Sequence, residues 1–165
     1  MAMSQQSVEI VHRFLVLDDF DEALTYADPE IVWNPVEESS AQGHDAVRAS
    51  TARWKGEWDD YELIPEEFAD VGDRVVATVR FRARGRGSGI EVDARLYDVF
   101  TLRDGKIVRM DQFTEQSEAL EAAGVERYAI SRRGGIRKPR SVRERSNRAL
   151  LMAPDFAFRG RAWIR

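Results

Sequence analysis

Cysteine is absent from the 165 residues, and histidine occurs only twice. Without thiols there is no disulfide framework, no thiolate nucleophile and no metal site built on sulfur. His12 and His44 fall on different predicted helices, one on a helix surface or pocket rim and the other at a helix start. Two such histidines are too thin a donor set for a metal centre. No cofactor and no metal are implied. No apolar run approaches the roughly 20 residues that cross a bilayer. Met1 to Ser7 lacks the basic region and apolar stretch of a secretory leader. These absences predict a cytoplasmic protein without membrane contact.

The composition, 43% hydrophobic and 33% charged, is that of a globular chain with one core. Its net charge of −4 conceals a division. Residues 1–124 hold 13 basic and 26 acidic side chains, whereas residues 125–165 hold 12 basic and 3 acidic ones. Such asymmetry marks a boundary, and we read a domain over 1–124 and a basic C-terminal tail over 125–165. Ser131 to Arg148 has little apolar content, so no stable core is expected there. Leu150, Leu151, Met152, Phe156, Phe158, Trp163 and Ile164 form an apolar terminus suited to docking on the domain or on a partner subunit. The tail's positive charge would also attract phosphates, yet no nucleic-acid motif accompanies it.

Hydrophobic spacing sets the elements. Val8, Val11, Phe14 and Leu15 predict a first helix capped by Ser4 or Ser7. A second helix runs from Asp21 to Tyr26 and ends at Asp28-Pro29. Glu30 to Pro35 is a short strand stopped by proline. A third helix runs from His44 to about Trp58, with Val47, Thr51, Trp54 and Trp58 on one face. The period then changes to two. Strands are predicted at Tyr61–Ala69, Val75–Arg84, Ile90–Arg103 and Lys106–Thr114. Turns fall at Val71–Arg74, Gly85–Gly89 and Asp104-Gly105, the last a strong hairpin signal. Glu115–Ala123 is a short helix ending at Gly124. Helices followed by a meander of antiparallel strands argue for the α+β class.

The order of elements, with Trp33-Asn34-Pro35 ending the short strand, resembles the nuclear transport factor 2-like superfamily. Asp70-Val71-Gly72-Asp73-Arg74-Val75-Val76, Thr101 to Arg109 and Glu118 to Gly124 resemble SnoaL-like proteins in particular, over Ser4 to Gly124. The resemblance implies a cone, a curved antiparallel sheet wrapped around three N-terminal helices, with an apolar pocket in its mouth. It also implies a homodimer through the outer face of the sheet. The scaffold hosts isomerases, epoxide hydrolases, polyketide cyclases and binding modules, so function has to be sought in the site.

Three branches of that family supply residue patterns. The ketosteroid isomerase branch places a carboxylate base where this chain has Asn34, which accepts no proton at neutral pH. Its oxyanion tyrosine falls near Phe14, which has no hydroxyl, and its protonated oxyanion aspartate matches Asp98. The limonene epoxide hydrolase pattern retains Arg80 but has Arg82 in place of one aspartate and Gln112 in place of the other. Asp111 is adjacent to Gln112, but a one-residue slip would turn Val108 and Met110 outward. In the polyketide cyclases an acid-base residue works in the same cavity, a role that only Asp98 is placed to fill. On its strand Ala94, Leu96, Phe100 and Leu102 share its face, and such surroundings raise a carboxyl pKa by desolvation. The plainer alternative is that Asp98 pairs with Arg80 or caps a buried amide. Arg80, Arg82, Arg84 and Arg86 otherwise form a basic stripe that Glu91 and Asp93 would answer across the sheet.

The function expected is that of a pocket protein for a small apolar molecule, an isomerase, cyclase or hydrolase using general acid-base chemistry at Asp98. Asn34, Arg80 and Gln112 would orient the substrate, and Phe14, Trp33, Trp54, Trp58 and Met110 would line the wall. The competing class is a ligand-binding or dimeric interaction module without turnover.

Overall fold

The computed structural model describes residues 2–125. The tail expected from Val125 onward lies, apart from Val125 itself, outside the described residues. The first helix, α1, spans Ala2–Val16, so Ser4 and Ser7 sit inside it rather than capping it. Helix α2, Phe20–Leu24, starts one residue earlier than expected. The reason is Asp19, whose carboxylate accepts from the backbone N–H of Asp21 at 2.9 Å and of Glu22 at 3.3 Å.

Strand β1 then runs Ala27–Asn34 and carries Pro29 in its interior. Proline is tolerated there because the ladder to the neighbouring strand is interrupted between Ala27 and Val32, so no ladder donor is lost. A two-residue strand β2, Ala41–Gln42, pairs with β1, and helix α3 follows over His44–Gly56. Helix α3 ends before Trp58, which instead opens β3, Trp58–Val71. Strands β4, Arg74–Gly85, β5, Glu91–Arg103, and β6, Lys106–Phe113, complete the meander, and α4 spans Gln116–Ala122. The β5–β6 turn has Asp104 at φ +52° and Gly105 at φ +74°. Positive φ at both central residues matches the twist of a two-residue hairpin.

The six strands form one sheet in the order β2-β1-β6-β5-β4-β3. The pairings β3–β4, β4–β5 and β5–β6 are antiparallel, whereas β1 lies parallel to β6, which makes the sheet mixed. Register breaks at Trp58/Asp60, at Pro65/Glu67 and between β5 and β6 at Thr101/Leu102. Such bulges bend strands and add twist. The break in β6 also changes which side chain enters the core, so Ile107 is fully buried there rather than Val108.

The curved sheet presents an inner face to the helices. Helix α1 crosses β3 and β4, and α3 covers β1, β2 and β3. Val11 and Phe14 of α1, Val47 of α3, Ile31 of β1 and Val75, Val79 and Phe100 of the sheet form the main core. Phe14 meets Phe100 edge to face at 5.9 Å, a favoured aromatic geometry. On the outer face α4 seats Ala119 and Ala123 over Val76 and Val99, a smaller second core. The α+β cone is therefore the architecture observed. No described helix is long and apolar enough to cross a membrane.

Candidate functional site

Strand parity decides which side chains meet inside the cone. On β4, Val75, Ala77, Val79 and Phe81 point inward and Arg80 and Arg82 outward. On β5, Val92, Ala94, Leu96 and Asp98 point inward. These residues and the facing helices leave a cavity of about 500 Å³, within the usual range for small-ligand sites. Phe14 and Phe20 come to it from the α1–α2 side, Val47, Thr51 and Trp54 from α3, and Trp33 from β1. Trp58, Tyr61 and Phe81 join Trp54 in one aromatic cluster. The Trp54 ring lies 5.0 Å from Tyr61 and 5.4 Å from Phe81, and Trp58 lies 5.1 Å from Phe81. Burial raises the Tyr61 phenol pKa.

Asp98 lies in the inner face of the sheet, 3% exposed, between the apolar Leu96 and Phe100. Its cross-strand neighbour on β6 is Gln112. Burial pushes the Asp98 carboxyl up from its ordinary 3.8 to about 7, and the hydrogen bond from the Gln112 amide only partly opposes this. Desolvation disfavours the charged form of an acid, and a donated hydrogen bond favours it, so here the first effect wins. Asp98 Oδ1 is buried without a hydrogen-bond partner. Gln112 Oε1 lies 3.5 Å from the backbone N–H of Val36, so one amide joins the carboxyl to the loop after β1.

The rim is charged. Glu37, Glu38, Lys55 and Glu57 line it. The Lys55 ammonium sits 5.7 Å over the Phe20 ring, and its pKa is lowered by burial. Glu38 Oε2 accepts from Ser50 Oγ at 2.8 Å and faces Arg53 at 3.5 Å.

Of the residues expected at the site, Asp98, Gln112, Phe14, Trp33, Trp54, Trp58 and Met110 line the cavity. Two others do not, and both are corrected. Arg80 projects from the opposite face of the sheet, where its guanidinium makes two 2.8 Å bonds to Asp93. It therefore does not line the cavity and pairs with Asp93 rather than Asp98. The alternation of Val75, Ala77, Val79 and Phe81 against Arg80, Arg82 and Arg84 carried that signal, because the apolar set takes the core face. Asn34 is likewise outward, since Ile31 and Trp33 take the inner face of β1 after its bulge. Its amide donates to Asp111 Oδ1 at 2.6 Å, and Asp111 in turn accepts from Arg109 at 2.7 Å. Asp111 thus stays outside the cavity, as parity required.

The basic stripe is answered largely by acids of the outer face. Arg80 and Arg82 meet Asp93, Arg82 also approaches Glu62, and Arg95 binds Glu66 at 2.6 Å. His12 packs edge-on against Phe68 at 5.7 Å, and His44 Nε2 lies 3.3 Å from the Ala27 carbonyl oxygen. Neither lines the cavity. Among the described residues no group of three or more His, Cys, Asp or Glu side chains could hold a metal ion. Sequence reasoning missed Glu38, Lys55, Phe20, Tyr61 and Phe81. Phe81 was legible from parity, whereas Glu38 and Lys55 are surface-type residues that only the fold brings to the rim.

Solved structures share this fold. A protein assigned to the SnoaL-like polyketide cyclases, from Jannaschia sp. CCS1, superposes with a TM-score of 0.62 at 23% identity, over 75% of this chain and 95% of its own. TerC, co-crystallised with polyporic acid, gives 0.60 at 21% identity, over 72% and 98% of the two chains. An NTF2-like protein of unknown function from Burkholderia pseudomallei K96243 gives 0.55 at 22% identity, over 71% and 91%. At such identities the likeness speaks for the fold alone. No curated protein matches the sequence. The model of the SnoaL-like domain, however, matches residues 9–110, from α1 through Met110 on the cavity wall, and by that match this chain belongs to the SnoaL-like family.

Proposed function

We propose that this chain is a small-molecule enzyme in which Asp98 acts as general acid, or as hydrogen-bond donor, toward a carbonyl or cyclic substrate of apolar body. The observation that carries this reading is a buried carboxyl in the wall of an aromatic cavity, with its pKa raised to about 7. A carboxylic acid kept protonated near neutral pH can give its proton to a developing oxyanion. Gln112 holds the carboxyl from the next strand. Trp33, Trp54, Trp58, Met110 and Phe14 provide the apolar contact. That TerC was co-crystallised with polyporic acid supports a small-molecule role for a protein of this fold. The polyketide cyclase assignment of another neighbour supports acid-base chemistry, by analogy only.

The second reading is ligand binding without turnover. The outward turn of Asn34 and Arg80 favours it, because it withdraws two polar groups from the cavity. Asp98→Asn separates the two. An enzyme loses turnover and keeps ligand affinity within a few-fold, whereas a binding module has no turnover to lose. A screen of small cyclic ketones by thermal shift identifies the ligand first, since a compound that binds only the folded state raises its stability. Activity unchanged in Asp98→Asn would remove the catalytic reading.

A further inference from the structure

Four buried side-chain polar atoms have no hydrogen-bond partner among the described residues, and three of them belong to residues that line the cavity. They are Trp33 Nε1, Trp58 Nε1 and Asp98 Oδ1. The fourth, Asp70 Oδ1, belongs to the other end of β3 from Trp58, and Asp70 does not line the cavity. Buried polar groups are almost always paired, so their convergence on one cavity calls for a cause. We infer that the Trp33 and Trp58 indoles read two hydrogen-bond acceptors of the ligand, one from each flank of the cavity, an inference that rests on the reading of the cavity as a small-molecule site.

The fold sets the two indoles on opposite sides. Trp33 belongs to β1 and Trp58 opens β3, and in the sheet β6, β5 and β4 lie between those strands. At about 4.8 Å per strand step, the two backbones stand about 19 Å apart measured around the curve. Asp98, on β5, is two strands from each. An indole N–H donates and cannot accept, so neither tryptophan completes the other. Asp98 Oδ1 accepts from neither, since it has no partner itself. Water is a poor substitute. A buried water needs roughly two to four polar partners, while Ile31, Leu63, Val79, Leu96 and Met110 make up much of the wall.

The ligand that fits is a flat apolar molecule with carbonyl or ether oxygens near both ends. Its body packs on the aromatic cluster of Trp54, Tyr61 and Phe81. A hydrocarbon of the same shape leaves both N–H groups buried and unpaired, and a site built around hydrogen bonds discriminates strongly against such an analogue. Trp33 and Trp58 thus set specificity, a role separate from that of Asp98.

The test compares 2,6-diacetylnaphthalene with 2,6-diethylnaphthalene, which keeps the ring and both arms but has no acceptor. Each is titrated into the full chain and followed through the indole N–H signals of proton–nitrogen correlation spectra, assigned by triple-resonance experiments. The diketone should move the Trp33 and Trp58 indole protons downfield, as hydrogen bonding does, and the hydrocarbon should move neither downfield. Trp33→Phe and Trp58→Phe each keep an aromatic ring and remove the N–H. Each should weaken the diketone about fivefold more than the hydrocarbon, whereas a role in packing alone would weaken both alike. If a variant does not fold, the wild-type spectra decide. Binding of both compounds with neither indole moved downfield would overturn this inference and leave the cavity reading standing. Movement of one indole alone would overturn the assignment of two acceptors. Absence of binding by either compound would overturn both the inference and the cavity reading.

Discussion

Replacing Asp98 by asparagine tests the electrostatics of the cavity without knowledge of any ligand. The substitution keeps the shape of the side chain and an acceptor for Gln112, and removes the ionisation. In the unfolded chain the carboxyl titrates near its ordinary 3.8, and in the folded protein near about 7. Below pH 3.8 both states hold the proton and Asp98 contributes no pH dependence. As pH rises from 3.8 to 7 the unfolded chain releases the proton and the native protein retains it. Stability is therefore lost as pH rises across that window. A separation of about 3 pKa units corresponds to about 4 kcal/mol, fully expressed by pH 8 and reduced to about 3 kcal/mol at pH 6. Asp98→Asn should thus be more stable than wild type by about 4 kcal/mol at pH 8 and by under about 1 kcal/mol at pH 4. Set against the 5–15 kcal/mol typical of a whole domain, a difference of that order is easily measured. Urea unfolding at pH 4, 5, 6, 7 and 8 reads it as a midpoint difference that grows to about 2 M, given a slope of about 2 kcal/mol per M. The other carboxylates cancel in the comparison. A difference that stays flat across the series would refute the desolvation of Asp98, and with it the acid role.

Arg80→Ala should leave ligand affinity unchanged and shift the melting temperature only slightly at low salt, with the shift disappearing at high salt, since its partner Asp93 lies on an exposed face. Phe100→Ala empties a fully buried ring position against Phe14, and calorimetry or urea unfolding should show a loss of about 4 kcal/mol. Asn34→Asp sets a second carboxylate 2.6 Å from Asp111 in place of a donated hydrogen bond. It should destabilise by about 2 kcal/mol at pH 7 and recover as falling pH puts a shared proton on the carboxyl pair.

Much of the fold was legible because local chemistry and tertiary packing agree over long stretches. The period-two strands flanking Asp104-Gly105, the alternation of Val75, Ala77, Val79 and Phe81, and the Gly124 stop are each specified within a few residues. The errors came where packing outside the segment decided. Trp58 continues the apolar stripe of α3 by spacing, yet Glu57 ends the helix and Trp58 starts β3. Its ring still reaches the cavity, from a strand rather than from a helix. Pro29 read as a helix stop and is instead a strand residue, accommodated by a bulge that no local signal announces.

The sequence by itself determined the α+β class, the inward face of β5 and hence the apolar setting of Asp98, because side-chain alternation in a strand is a local property. It also excluded thiol chemistry outright. Only the tertiary structure decided that β1 pairs parallel with β6, which turns Asn34 toward Asp111 and away from the cavity. Only the tertiary structure sent Arg80 to Asp93, joined Gln112 to both Asp98 and Val36, and brought Glu38 to Ser50 across a loop. Pairing of distant segments depends on sheet register and bulges, which are set by how whole faces fit together. The apolar setting of Asp98 was therefore visible in its own strand, whereas the link from Gln112 to Val36 appears only once the chain has closed around the pocket.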